Sequence, residues 1–194
     1  MSFDLHAKLA EEFGGKEKWG YRTVDTLSVD FDANAKSKRP APVKWLPEGV
    51  ITSSRSLGGP KTTGQVHPRL FTSFFSEQFL SKPDTSLIIG PATSVKVEDG
   101  AVTSVTVKTD GGEKILPADV VVLAAGPWTG ELAKKLFGKE VGGKLGVSGH
   151  RAHSIVLKTK EELSAHCLFT SMTMDDGSAG EPEVYARPDG TAYM

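Results

Sequence analysis

The residues of this sequence whose types and spacing could do chemistry are few. Ala124-Ala125-Gly126-Pro127-Trp128 follows an apolar run. Small residues at such a place let the backbone approach a ligand, Gly126 permits a tight exit, and a helix starting just beyond offers free N–H groups to an anion. A packed strand–helix turn, with Trp128 filling a gap, is the alternative, and the sequence leaves both readings open. His150, Arg151 and His153 cluster on one stretch. In an expected strand over 150–158, residues 151 and 153 share a face, either as a proton-handling or anion-binding pair or as the polar side of a half-exposed strand. His67 stands before Pro68 and reads as a helix cap. Cys167 reads as a buried, inert thiol, because nothing near it in sequence lowers its pKa. Gly138 to Lys144 matches the spacing G-x-x-x-x-G-K, but Leu145 stands where a metal-holding Ser or Thr belongs, and the segment follows a helix. It reads as a glycine-rich loop. The chain contains no G-x-G-x-x-G, no nucleophile elbow and no obvious triad, so no catalytic residue is assigned.

These residues need elements to position them. Leu5, Leu9 and Phe13 share the face of a first helix that Asp4 can cap and Gly14-Gly15 ends. Val24, Leu27, Val29 and Phe31 mark a strand within 21–31, and residues 32–49, with Lys36, Lys38, Arg39, Lys44 and Pro40, Pro42 and Pro47, predict a loop. Residues 67–80 predict a helix with Pro68 in its first turn and a stripe of Leu70, Phe71, Phe74, Phe75 and Phe79, which reads as core. Strands at 87–97, 101–108 and 113–116, divided by Asp99-Gly100 and Asp110-Gly111-Gly112, predict an antiparallel meander. Residues 119–125 are apolar without alternation and lead into a helix at 128–137; that pattern predicts a strand inside a parallel sheet covered by helices. Further strands are expected at 150–158, 167–172 and 183–187, the last entering a hairpin through Pro188-Asp189-Gly190.

Composition narrows the classes. The 194 residues are 38% hydrophobic and 24% charged, which argues against disorder and repeat fibres. One Cys excludes an internal disulfide framework, and no Cys/His cluster has zinc spacing. With 23 basic against 24 acidic residues there is no field to draw in nucleic acid or an anionic membrane surface. No apolar run reaches the ~20 residues of a membrane span, and the N-terminus lacks signal-peptide patterning. The expectation is a cytoplasmic protein with no metal.

Three stretches together resemble the FAD-dependent oxidoreductase superfamily that includes D-amino-acid oxidase, glycine oxidase and sarcosine oxidase. They are Thr63-Gly64-Gln65-Val66-His67-Pro68-Arg69-Leu70, the meander ending in Ala118-Asp119-Val120-Val121-Val122-Leu123-Ala124-Ala125-Gly126-Pro127-Trp128, and Glu183-Val184-Tyr185-Ala186-Arg187-Pro188-Asp189-Gly190-Thr191-Ala192-Tyr193. The wording TTGQVHP, GHRAHSIVLKT and YARPDGTAYM is similar to a fungal branch of cytoplasmic oxidoreductases, some linked to late endosomes and vesicle traffic.

The resemblance implies an α/β fold of mixed kind: a partial Rossmann-like FAD-binding domain interleaved with a mixed-sheet substrate domain. Residues 1–61 and 145–194 would belong to the substrate domain and 62–144 to the FAD domain. Ala92 and Thr93 would present backbone to the adenine, and Ala124, Ala125 and Gly126 would line the dinucleotide, with Pro127 and Trp128 supporting the turn. Arg151 or Arg187 could bind a substrate carboxylate bidentately. The expected activity is oxidation of an amine or amino-acid-like small molecule, with electrons passed to oxygen. The family's opening glycine fingerprint and closing glycine-rich segment are missing here, which predicts an internal piece of a longer protein, inactive by itself. A rival reading keeps the fold but not the catalysis: an interaction module of vesicle traffic whose protein partner uses helix 67–80 or the basic loop 36–44.

Overall fold

Caps, turn residues and alternation divide the chain into short elements, and the computed structural model describes residues 2–194. In chain order these are α1 (Ser2–Phe13), α2 (Gly15–Trp19), β1 (Arg22–Thr23), β2 (Asp25–Asp32), β3 (Ile51–Gly58), β4 (Gly64–Gln65) and α3 (Pro68–Leu80). There follow β5 (Ala92–Glu98), β6 (Ala101–Thr109), β7 (Gly112–Pro117), a 3-10 turn (Gly126–Trp128) and α4 (Thr129–Gly142). The last strands are β8 (Val156–Lys158), β9 (His166–Thr173), β10 (Ala179–Gly180), β11 (Glu183–Ala186) and β12 (Thr191–Tyr193). The fold is mixed α/β. It forms two compact units, one of residues up to Lys82 with Ser154–Met194, the other Pro83–His153. No helix among the described residues is long and apolar enough to cross a membrane.

The first unit is built on a mixed sheet in the order β3-β2-β9-β11-β12-β8, with β10 beside β9. β2 and β9 run parallel from Asp25 opposite His166 to Asp32 opposite Thr173, and the other pairings are antiparallel. Period-2 alternation sends Leu27, Val29 and Phe31 to one face, where Val29, Phe31, Ile51 and Leu168 form a buried cluster. The 32–49 segment is irregular, as its prolines predict, yet it does not drift in solvent. Val43 is buried, and Ala41, Trp45 and Leu46 lie on the cluster. The Trp45 indole N–H fixes the loop by donating to Ser164 Oγ at 2.9 Å. Strand β3 was not anticipated: Ile51–Gly58 is rich in serine and shows little alternation, and its pairing with β2 makes it a strand.

The aromatic stripe of α3 is not core as expected: none of its residues is fully buried, and only Phe71, Phe74 and Phe75 are half-buried. Phe71, Phe74 and Phe75 surround Trp19 with ring centroids at 5.6, 5.0 and 5.7 Å. Phe13 of α1 meets Phe74 and Phe75 edge-on. Trp19 is fully buried, whereas Leu70 and Phe79 are exposed. His67 caps the helix as expected, its Nδ1 accepting from the Leu70 N–H at 3.5 Å. Gly14 supplies the break between α1 and α2.

In the second unit the meander forms as predicted, β5-β6-β7, all antiparallel. Asp99 and Gly100 both adopt positive φ, the requirement of the tight hairpin that their types suggest. The expected parallel strand at 119–125 does not form. Residues 119–125 carry no strand pairing, and Val120 and Val122 are 78% and 82% exposed. A strand exists only by pairing its N–H and C=O groups with a neighbour; none of the described residues supplies one here. Similarly, pairing in the expected 150–158 strand begins only at Ile155, which exchanges bonds with Met194 ahead of the Val156–Lys158 strand, so Arg151 and His153 do not share a strand face. In α4, Gly138 leaves helical geometry at φ 78° and ψ 170°. At the helix end, a Cβ at Gly143 would collide with the Lys139 carbonyl oxygen. The glycines of the G-x-x-x-x-G-K spacing thus serve a kink and a close approach.

Candidate substrate cavity and cofactor segment

The face of the mixed sheet opposite the buried cluster carries polar and aromatic side chains. Register places Thr26 opposite Cys167, Cys167 opposite Tyr185, Glu183 opposite Phe169 and Tyr185 opposite Tyr193. With Leu57, Arg187 and the Thr63–Val66 stretch these residues line a cavity of about 750 Å³. That volume suits a small organic molecule.

One clip organises the cavity's edge. Arg22 and Gln65 face each other across the β1·β4 pair. Arg22 Nε–H donates to Gln65 Oε1 at 2.9 Å, and both side chains donate to the Ala186 carbonyl, from Arg22 Nη2 at 2.5 Å and Gln65 Nε2 at 2.8 Å. This carbonyl lies between Tyr185 and Arg187, so the clip sets the strand that presents both. Burial pushes the Arg22 guanidinium below its ordinary pKa, opposed by Cys167, Glu162 and Asp189.

The cavity's chemistry follows from three groups. Tyr185 O–H donates to the Glu183 carboxylate. Burial first, then that bond and the Glu183 charge, hold the phenol well above its ordinary pKa, so it remains a proton donor. The Arg187 guanidinium lies over the Tyr193 ring, 5.1 Å from its centroid. Cys167 is buried and its thiol pKa is raised, Arg22 only partly offsetting the burial. Its burial is what the sequence suggests. Thr26 lies in the wall with a buried hydroxyl lacking a partner among the described residues. Beside Arg187 a smaller cleft of about 210 Å³ is lined by Lys16, His67 and Asp189. Hydrogen bonds from Thr191 hold the Asp189 carboxyl below the usual range.

The cofactor-segment residues lie in the second unit. Ala92 opens β5, where its carbonyl accepts from Lys135 Nζ at 3.2 Å, and Thr93 Oγ1 donates to the Thr106 carbonyl at 3.3 Å. Ala124 and Ala125 end the unpaired extended segment. Gly126 turns at φ 54° with open space where a Cβ would stand. The Gly126 carbonyl then accepts from Thr129 Oγ1 at 2.8 Å. Trp128 is 71% exposed and does not fill an internal gap. Pro127, Trp128, His150 and Arg151 line one groove of about 720 Å³, which His153 does not join. Arg151 and Arg187 belong to different units. Residues 119–124 make no backbone–backbone hydrogen bond among the described residues and the turn at Gly126 is open, so a bound dinucleotide would meet free backbone groups there. A glycine phosphate cradle is not among these 194 residues.

Sequence reasoning missed Arg22, Gln65, Thr26, Glu183, Tyr185 and Tyr193. Glu183 and Tyr185 were accessible: in a strand over 183–187 they share a face with Arg187. The Arg22–Gln65 pair left no signal, because its partner carbonyl is 164 residues from Arg22.

Comparison with known proteins agrees with this architecture. The family model described as FAD dependent oxidoreductase, DAO, matches residues 2–194. The Schizosaccharomyces pombe protein named "Putative oxidoreductase C1F5.03c" is 29% identical over 204 residues, covering 97% of this chain and 51% of that protein. The Saccharomyces cerevisiae "Putative oxidoreductase TDA3" is 24% identical over 188 residues, covering 81% of this chain and 34% of its own length. The chain thus spans about half the length or less of these curated relatives. No solved structure matches. A family match running from residue 2 to residue 194 settles the affiliation: the chain belongs to the DAO family of FAD-dependent oxidoreductases.

Proposed function

We propose that these residues are the substrate-binding part and a portion of the cofactor-binding part of an enzyme that oxidises an amine or amino-acid-like molecule, with oxygen as the final acceptor. The observation that carries this reading is the cavity of about 750 Å³, where Arg187, the Tyr185–Glu183 pair and Thr26 converge on an aromatic floor. FAD, when bound, supplies the electron-accepting chemistry. The chain's own residues do the rest. Arg187 offers a planar fork to a carboxylate. Tyr185 holds its proton next to Glu183, and Phe169 and Tyr193 exclude water from the floor. In this reading Ala124, Ala125 and Gly126 line the dinucleotide, Pro127 and Trp128 support the turn, and Ala92 and Thr93 face the adenine. The shares of the relatives covered, and the lack of a G-x-G-x-x-G, support a longer functional protein.

The test compares the 194-residue chain with a version joined to a glycine-fingerprint half taken from a relative. Flavin association is read by absorbance and by quenching of flavin fluorescence, and turnover by peroxide formation over a panel of amino acids and amines. Tight flavin binding and turnover are expected only with the fingerprint half present. Flavin-dependent turnover by the 194 residues alone would overturn the division of labour proposed here.

A further inference from the structure

The cavity lining carries two opposite charges, Glu183 and Arg187, in one row of side chains. Glu183, Tyr185 and Arg187 stand at i, i+2 and i+4, and all line the cavity. The Glu183 carboxylate accepts from Tyr185, while Arg187 rests on Tyr193. Among the described residues neither Glu183 nor Arg187 belongs to an ion pair. The nearby Asp189 carboxylate, held by the N–H and Oγ1 of Thr191 at 3.0 and 2.6 Å, feels the Arg187 charge without forming an ion pair with it.

At ~3.3 Å per residue the Cα atoms of 183 and 187 are about 13 Å apart. The floor between them is aromatic: Tyr185 and Tyr193 have centroids 6.0 Å apart, and Phe169 stands 6.4 Å from Tyr185. An acidic end, an apolar middle and a basic end are complementary to a zwitterion whose charges are separated by a hydrocarbon chain. An α-amino acid carries both charges around one carbon and reaches one end only.

We propose that this cavity selects zwitterions of the ω-amino-acid class, Glu183 receiving the ammonium group and Arg187 the carboxylate. The inference rests on the reading of the cavity as the substrate chamber and names its substrate class. Specificity arises because a ligand lacking either charge leaves one cavity charge without a partner.

The experiment is calorimetric titration of the 194-residue chain with 6-aminohexanoate, glycine, hexanoate and hexylamine. The expected result is binding of 6-aminohexanoate about tenfold or more tighter than each of the other three. Glu183→Gln should weaken 6-aminohexanoate and hexylamine while leaving hexanoate unchanged, and Arg187→Met should weaken 6-aminohexanoate and hexanoate while leaving hexylamine unchanged. The retained ligand in each variant reports that the cavity is still folded. Glycine binding as tightly as 6-aminohexanoate, indifference to Glu183→Gln, or failure of all four ligands to bind would each overturn the proposal. None of these outcomes bears on the FAD reading, which is judged separately by flavin association.

Discussion

The two compact units spend similar sequence in different ways. The first buries Trp19, Val24, Val29, Phe31, Val43, Ile51 and Leu168, whereas the second buries, among large or small apolar residues, only Val107 and Ala133. The second is not poor in apolar residues. Leu87, Ile89, Ile115, Val120, Val122 and Val141 are all well exposed there. The first unit has a second layer over its sheet, supplied by the 32–49 loop with its anchoring tryptophan. The meander of the second unit receives α4 against β5, and little else covers it. Apolar residues thus become core only where another layer meets them.

Mutations can break that contrast. Trp19→Ala should have the largest effect, about 3–5 kcal/mol, since it removes the ring around which Phe71, Phe74 and Phe75 pack. The urea midpoint reads it. Arg22→Met should cost about 1.5–3 kcal/mol, the usual range for charge-assisted hydrogen bonds, with faster hydrogen exchange confined to β11 and β12. Val107→Ala should cost about 1.5 kcal/mol, two methylene equivalents of transfer. If Val107→Ala matched Trp19→Ala, the two units would have comparable cores and the contrast would be gone.

Exchange without mutation sharpens the same point. Amides of β2 and β9, paired over their whole length, should exchange slowest. Those of 119–125, with no strand pairing, should exchange fastest. Slow exchange at 120–125 would show that this segment has found a partner.

The smallest effects concern titration. Burial raises the Cys167 pKa against the pull of Arg22, so the native thiol should alkylate far more slowly than the unfolded one. Arg22→Met, which removes the opposing cation, should slow it further wherever the fold holds. Tyr185 is also raised. Above the ordinary tyrosine range the unfolded chain loses this proton while the native one keeps it. The unfolded state then binds fewer protons, so stability falls as pH rises. Tyr185→Phe should remove that part of the fall, read as the pH dependence of the urea midpoint.

Much of the local structure was legible. The hairpin at Asp99-Gly100, the cap at His67-Pro68 and the break at Gly14 follow from residue types acting over a few positions. The cavity was half legible: alternation through 183–187 gathers Glu183, Tyr185 and Arg187, but nothing in it reveals Arg22 or Gln65.

The sequence by itself determined the elements held by local forces, and its motifs were enough to identify the family. Only the tertiary structure decided the parallel pairing of β2 with β9, the strand character of Ile51–Gly58 and the clip on the Ala186 carbonyl, whose donors lie 164 and 121 residues away. It also decided that 119–125, apolar enough for a buried strand, remains unpaired. The reason is the same in each case. A turn or a cap is satisfied by its own neighbours in sequence, whereas a strand or a buried guanidinium takes its state from groups that only folding brings beside it.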